Sequence, residues 1–197
     1  MARQAERREA TRGAILAAAG ELFGRQGFAG ASVDQIAQAA GLAKGAVYHH
    51  FATKEALFEA VFRQASQGLA ARLASQAGAA GGDVLTAMAA SFRAYFAACA
   101  EGPTGRIILK DGPAVLGWAR WREIDSEHFG GGLAWALKAA MAAGLIETQP
   151  VEPLAGLLLG AANEAAVACH AAADPAAVGG DYARAFERLL EGLRTRP

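Results

Sequence analysis

The chain has 197 residues and a mass of 20.2 kDa, enough for one ordinary domain or for a small module joined to a larger one. Hydrophobic residues make up 53% of it and charged residues 19%, which excludes a disordered chain. Abundant alanine favours an all-α fold over a β-sandwich. The formal net charge is zero, but residues 1–54 carry seven Lys/Arg against four Asp/Glu, so the N-terminal quarter is basic.

The cysteines and the apolar segments bear on the compartment in which the protein works. Cys99 and Cys169 lie far apart and form no Cys-x-x-Cys pair. We recognise no signal peptide and no continuous apolar run long enough to span a membrane. We therefore expect a reduced, soluble, cytoplasmic protein with no membrane partner. The arginines near the N-terminus alternate with Glu6 and Glu9 and predict a solvated arm.

Four helices are predicted in the first part of the chain. Apolar residues at helical spacing indicate a first helix that ends at Gly27. Ser32 and Gln35 form a capping box that opens a short second helix, and a turn at Gly41 leads to a short third one. Thr53 caps a longer fourth helix that the glycines from residue 78 stop. The predicted ranges are 11–26, 33–40, 44–51 and 53–77.

The remainder is predicted to be helical, with glycine and proline at the breaks. The predicted ranges are 83–100, then 106–109 with 114–129 as a bent pair, 133–143, 153–173 and 181–194. The whole chain thus has about nine helices and no strand. We divide it into a small three-helix module, residues 1–52, and a larger helical domain, residues 53–197.

Two short helices joined by a glycine turn are typical of a helix-turn-helix, whose second helix can enter the DNA major groove. The wider pattern is Ile15-Leu16-x-Ala18-Ala19-x-x-Leu22-Phe23, Gly27-Phe28, Ser32-Val33-x-x-Ile36-Ala37, Ala40-Gly41-Leu42-x-x-Gly45-x-Val47-Tyr48-x-His50-Phe51 and Lys54-Glu55-x-Leu57-Phe58. Over residues 11–62 this pattern resembles the DNA-binding domain of the TetR family of bacterial transcription regulators.

The resemblance implies that the start of the third helix contacts base edges. Lys44 can donate to guanine and the Ala46 methyl can meet a thymine methyl, while Gly45 permits close approach. Residues one turn later and at neighbouring helix starts are expected to contact phosphates. The predicted DNA contacts are Ser32, Lys44, Gly45, Ala46, Tyr48, His49 and Lys54.

In the TetR family the rest of the chain is a variable helical body that dimerises and holds an effector pocket. Trp118, Trp121, Arg122 and Asp125 share one predicted helix face, and two indoles beside a charged pair could form a pocket wall. Alternatively, the tryptophans belong to the core and the charged residues form an internal ion pair. The predicted effector-binding residues are Met88, Phe92, Trp118, Trp121, Arg122, Asp125 and Asn163.

The last two predicted helices are the expected dimer interface. Small residues allow helices to approach closely, and the final helix offers large apolar residues at matching spacing. Asn163 would then face the body, near a pocket. The predicted interface residues are Leu154, Leu158, Ala161, Ala165, Phe186, Leu189 and Leu193.

These features predict a ligand-responsive transcriptional regulator that acts as a repressor. It would bind a pseudo-palindromic operator as a homodimer and be released by a small-molecule effector. The alternative is a helical ligand-binding or interaction module that no longer binds DNA. An enzyme is not expected, because His128, His170, Asp125 and Glu164 match no catalytic or metal-binding spacing, and we predict no cofactor or metal.

Overall fold

Over residues 2–100 and 102–195, which the computed structural model describes, the protein has nine continuous helical segments and no β-strand. The uninterrupted helices are α1 (Ala2–Gly30), α2 (Val33–Ala39), α3 (Lys44–His50), α4 (Lys54–Ala79), α5 (Val84–Ala100), α8 (Val151–Ala171) and α9 (Pro175–Gly192). Helix α6 joins Gly102–Gly105, π-helical Arg106–Asp111 and Gly112–Leu116, and α7 joins Trp118–Asp125, π-helical Ser126–Gly130 and Gly131–Ala142. The predicted all-α fold is confirmed.

The N-terminal module is built by local capping interactions. The Ser32 hydroxyl accepts from the Gln35 N–H at 3.2 Å, and the Gln35 side chain accepts from the Ser32 N–H at 2.8 Å. Gly41 takes a positive φ of 69° in the turn between α2 and α3. The fully buried residues that hold α1 to α4 together include Ile15, Ala19, Phe23, Ile36, Leu57, Phe58 and Phe62.

Helix α1 is longer than predicted at both ends. It begins at Ala2, and its exposed first turns carry Arg3, Arg7 and Arg8, so the predicted solvated arm is an exposed helix. Gly27 has φ 76° and ψ 169°, which interrupts the helix at the predicted C-cap before a last turn ends at Gly30.

Helix α5 is the centre of the C-terminal body and packs against α4, α8 and α9. Its side chains Phe96 and Cys99 are fully buried. Phe186 of α9 lies 5.6 Å from the Phe96 ring, centroid to centroid, in an edge-to-face contact. The other fully buried members of this core include Ile108, Ile124, Leu137, Ala140 and Ala166.

Several predicted boundaries in the body are wrong. The chain is helical through the predicted break at residues 111–113 and bends at Gly117 instead, where φ is 75°. Helix α7 continues through residues 130–132, and α9 begins at Pro175, where the Asp174 carboxylate caps the Ala177 N–H.

Helix α8 is long and apolar enough to cross a membrane by length and composition. One side of it is nevertheless buried against α5, α7 and α9. Such burial is typical of the core helix of a soluble protein.

Candidate nucleic-acid interface and effector cavity

Helix α3 presents a polar face to solvent. Of its seven residues only Val47 is buried, at 1% exposure, and Val47 fixes the helix to the module core. Tyr48 is 46% exposed, and a side chain added at Gly45 would meet nothing within 4 Å. The first turn of α3 can therefore approach another surface closely.

Lys44 begins α3 and pairs with Asp34 of α2, with 2.9 Å between Nζ and Oδ2. The hydrogen bond from Lys44 to the Asp34 carboxylate raises the pKa of Lys44, so the ammonium stays charged. Both side chains lie in solvent, where such a pair is weak and screened by salt. The pair orients Lys44 beside the open surface at Gly45 without immobilising it.

Two helix starts flank α3. The Ser32 hydroxyl is engaged as acceptor in the α2 cap, but it keeps a proton that it can donate. The Thr53 hydroxyl caps α4 by accepting from the Ala56 N–H at 3.0 Å. Lys54 extends its ammonium 4.3 Å above the centroid of the Phe28 ring, which holds the charge near the first turn of α4. Both starts are suited to anions.

A cavity of about 600 Å³ lies between α4, α5, α7 and α8. The predicted residues Met88 and Phe92 line it. Its wall is mainly apolar, and its other large residues are Leu73, Tyr95, His128, Phe129, Leu133, Trp135 and Leu159. Small residues of α4, among them Ala70, Ala74 and Ala77, leave room on one side.

The predicted tryptophan wall is wrong, because neither Trp118 nor Trp121 lines this cavity. Trp121 is 1% exposed and its indole N–H donates to the Ile108 carbonyl at 2.8 Å, which ties α7 to α6. Trp118 is 63% exposed, and the exposed Arg122 lies over its ring. The spacing is helical, but this helix face straddles the boundary between core and solvent.

Asp125 and Asn163 do not line the cavity either; they form a buried polar chain behind it. The Asn163 amide donates to Asp125 Oδ2 at 2.7 Å, and the Tyr95 hydroxyl donates to Asn163 Oδ1 at 2.7 Å. Burial raises the pKa of Asp125 to about 6, opposed by the Asn163 hydrogen bond and by the charge of Arg122. Tyr95 lies in the cavity wall, so the chain ends at the cavity.

The predicted dimer residues differ in how far a single chain buries them. Leu158, Ala165 and Phe186 are at most 5% exposed in a single chain, so they belong to the core of the body and cannot contact a partner. Leu154 and Leu193 are half-buried, and Ala161 and Leu189 are exposed. The large apolar residues that α8 exposes are Leu157 and Val167, at 73% and 42%. Because α8 is apolar on every side, its sequence does not distinguish the inner face from the outer one.

Sequence reasoning missed the cavity residues of α7. Phe129 precedes and Leu133 and Trp135 follow the glycines at 130–132, where the sequence predicts a helix break. His128 was weighed only as a catalytic group; its Nε2 atom is buried and has no hydrogen-bond partner within residues 2–100 and 102–195. In that same part of the chain no cluster of three metal-ligating side chains occurs.

Comparisons with known proteins match both parts of the chain. Residues 15–61 match the model for bacterial regulatory proteins of the tetR family, and residues 85–193 match a tetracyclin repressor-like C-terminal domain. The Escherichia coli regulator UidR is 42% identical over 62 residues, which are 32% of each chain, so this likeness concerns about a third of UidR.

Two solved structures resemble almost the whole chain. A TetR-family transcriptional regulator from Pectobacterium atrosepticum is 30% identical, with 98% of each chain covered and a TM-score of 0.87. RolR in complex with the ligand resorcinol is 18% identical, covers 98% of this chain and 97% of its own, and has a TM-score of 0.74, which shows a shared fold. With more than half of the chain matched by one family model, the protein belongs to the TetR family of helix-turn-helix transcriptional regulators.

Proposed function

We propose that the protein is a cytoplasmic, homodimeric repressor that leaves its operator when a small molecule occupies the cavity. One observation carries the proposal: helix α4 begins at Lys54 beside α3, and its second half lines the cavity. Occupation of the cavity and the orientation of α3 therefore depend on the same rigid element. The family model of a repressor-like C-terminal domain supports this direction of control.

DNA contacts are assigned to the open face of α3 and its flanks. Lys44, Gly45 and Ala46 would meet base edges in the major groove, because they form the first turn of the second short helix. Tyr48 and His49 would reach phosphates or flanking bases one turn later. Ser32 and Lys54 would contact phosphate at the starts of α2 and α4.

Dimerisation is assigned to the outer faces of α8 and α9. Leu157 and Leu189 are large apolar residues that a single chain leaves exposed, and Ala161 permits close approach between helices. A two-fold pair would present two copies of α3. These must reach successive major grooves about 34 Å apart, which accounts for a pseudo-palindromic operator.

A change at the cavity would reach α3 through the contacts between α7 and α4. The Arg63 side chain of α4 contacts Glu127 of α7 at 2.6 Å, and Glu59 of α4 contacts Arg120 of α7 at 2.6 Å. Helix α7 also supplies Phe129 and Trp135 to the cavity. A ligand that shifts α7 would therefore move α4 and change the distance between the two copies of α3 in the dimer.

A small-molecule effector fits both the cavity and a structural relative. The cavity volume lies in the range of sites for drug-sized ligands. RolR has the same fold and was solved with resorcinol. This assignment supports a division at residue 52. Residues 1–52 form the DNA-binding module, residues 53–197 form the effector domain, and α4 connects the two.

Selection of duplexes from random DNA, followed by sedimentation with and without the selected duplex, tests the proposal. We expect an inverted repeat bound by two chains, and a dimer at micromolar concentration without DNA. A monomer, or failure to select any duplex at low salt, would contradict it and would favour a helical module that does not bind DNA.

A further inference from the structure

We propose that the cavity takes a neutral aromatic ligand whose hydroxyl or N–H group donates a hydrogen bond to the Tyr95 hydroxyl oxygen. This inference rests on the proposed function, because it names the chemistry of the effector site. Three features of the wall carry it: the absence of a cation, the direction of its hydrogen bonds and its aromatic side chains.

The charges of the wall disfavour an anionic ligand. No lysine or arginine belongs to the wall as formed by residues 2–100 and 102–195. Asp83 is the one carboxylate there, and Arg194 pairs with it at 2.8 Å between NH1 and Oδ2. A carboxylate or phosphate would lose its hydration in this cavity and gain no partner of opposite charge.

The buried chain fixes which way Tyr95 donates. An ionised Asp125 can only accept, so Asn163 must turn its NH₂ group toward Asp125 and its carbonyl oxygen toward Tyr95. The Tyr95 hydroxyl must then donate to Asn163. The Tyr95 hydroxyl proton is therefore used in this bond, while the hydroxyl oxygen retains a lone pair that can accept another hydrogen bond. A ligand hydroxyl or N–H satisfies that lone pair, whereas an ether or carbonyl oxygen faces another acceptor.

A second hydroxyl in the wall, that of Ser91, is also available only as a hydrogen-bond acceptor. Ser91 donates to the Ala87 carbonyl at 3.1 Å, so its oxygen also remains an acceptor. His128 is the polar wall residue that can either donate or accept, depending on its tautomer. Trp135 adds an indole N–H, which only donates. Tyr95 and Ser91 lie one turn apart on α5 and are both limited to accepting, so the α5 side of the wall favours a ligand that donates.

The shape of the wall favours a flat ring. Phe92 of α5 and Phe129 and Trp135 of α7 supply aromatic faces or edges to the cavity. Phe129 meets the Tyr95 ring edge-to-face, with 5.8 Å between centroids. Aromatic rings stack well in such surroundings, and a ring that carries one hydroxyl places its donor at an edge, within reach of an acceptor.

Three naphthalenes of similar size test the inference by isothermal titration at pH 7.5. They are 2-naphthol, which donates, 2-methoxynaphthalene, which only accepts, and 2-naphthoate, which is an anion. We expect 2-naphthol to bind about tenfold or more tightly than either of the others. Equal binding of the ether, tighter binding of the anion, or no binding by any of the three would overturn the proposal.

Two variants test whether the preference for 2-naphthol over the ether depends on Tyr95 and Asp125. In Tyr95→Phe the affinity for 2-naphthol should fall to that for the ether, while the ether affinity stays within about twofold. In Asp125→Asn the hydrogen bonds from residue 125 through Asn163 to Tyr95 can reverse their direction, because an amide both donates and accepts. The preference for 2-naphthol should therefore shrink although the ring of Tyr95 stays in place. Tyr182→Phe, on α9 outside the cavity wall, is the matched control and should keep the preference. An unchanged preference in both test variants would overturn the proposal.

Operator binding without ligand is measured separately. A protein that binds the operator but prefers 2-naphthoate contradicts only the ligand class. A protein that prefers 2-naphthol but binds no operator contradicts only the proposed function.

Discussion

The carboxylate of Asp111 accepts a hydrogen bond from the backbone N–H of Phe28 at 2.8 Å, across 83 residues of sequence. The contact lies where Gly27 interrupts α1, so the donor is one that helical pairing has released. It joins the DNA-binding module directly to α6 of the C-terminal domain. The module is thus held to that domain by the packing of α1 on α6, which includes this hydrogen bond, and by the continuous helix α4.

Replacement of Asp111 by alanine should lower the free energy of unfolding by about 1–3 kcal/mol, because a part-buried N–H loses its partner. Asp111→Asn should recover most of that loss, since its amide oxygen can still accept. Urea unfolding of the three proteins at one concentration measures both values. Equal destabilisation by the two substitutions would mean that the charge of Asp111, and not its acceptor oxygen, stabilises this junction.

Lys44→Ala should reduce discrimination at one position of each operator half-site, at a cost of about 1–3 kcal/mol, because Lys44 starts the helix assigned to the major groove. Lys54→Ala should weaken binding to all duplexes alike and reduce the salt slope by about one, because its expected contact is a phosphate. Titration of operator variants over a range of salt concentrations separates the two effects. A changed sequence preference in Lys54→Ala alone would reverse the assignment.

The predictions that succeeded depend on local interactions. The bounds of α2 and α3 were predicted to within one residue, because the capping box at Ser32 and the turn at Gly41 are encoded within a few positions. Gly112 was misread as a helix break. A Cβ there would lie 2.9 Å from Phe62 and 3.0 Å from Trp121, so this glycine permits close packing inside a helix. Tertiary contacts decided its role, and they are absent from local sequence.

The residues that line the cavity were predicted only in part for a related reason. Met88 and Phe92, on the apolar stripe of α5, line it, and their role in effector binding stays a prediction. The paired tryptophans suggested a wall, but the indole N–H of Trp121 is used inside the core by the Ile108 carbonyl. That bond depends on how α6 crosses α7, which helical periodicity does not specify.

Leu157→Lys should convert a dimer to a monomer while leaving the unfolding transition of the single chain little changed. Leu157 is 73% exposed, so the charge is costly only where a partner covers it. Trp118→Lys is the control, because Trp118 is similarly exposed but lies on α7. Sedimentation equilibrium gives the oligomeric state, and a dimeric Leu157→Lys protein would place the interface elsewhere.

Asp125→Asn should stabilise the protein at neutral pH and have a smaller effect in acid. Burial raises the folded-state pKa of Asp125 from 3.8 to about 6, so ionisation of this carboxyl opposes folding. Below the unfolded-state value both states are protonated and the penalty is absent. The penalty grows as pH rises toward 6 and is complete above it, at about 3 kcal/mol for a shift of about two units.

The neighbours of Asp125 should not obscure this dependence. Burial raises the pKa of Cys99 to about 12 and that of Tyr95 well above its usual value, so both stay neutral. Urea unfolding of the wild type and Asp125→Asn between pH 4.5 and 8, at one protein concentration, should show the difference between them increasing with pH and levelling above about pH 7. A difference that stays constant between pH 4.5 and 8 would show that Asp125 is ionised over this whole range in both the folded and the unfolded protein, and would contradict the raised pKa on which the expected stabilisation rests.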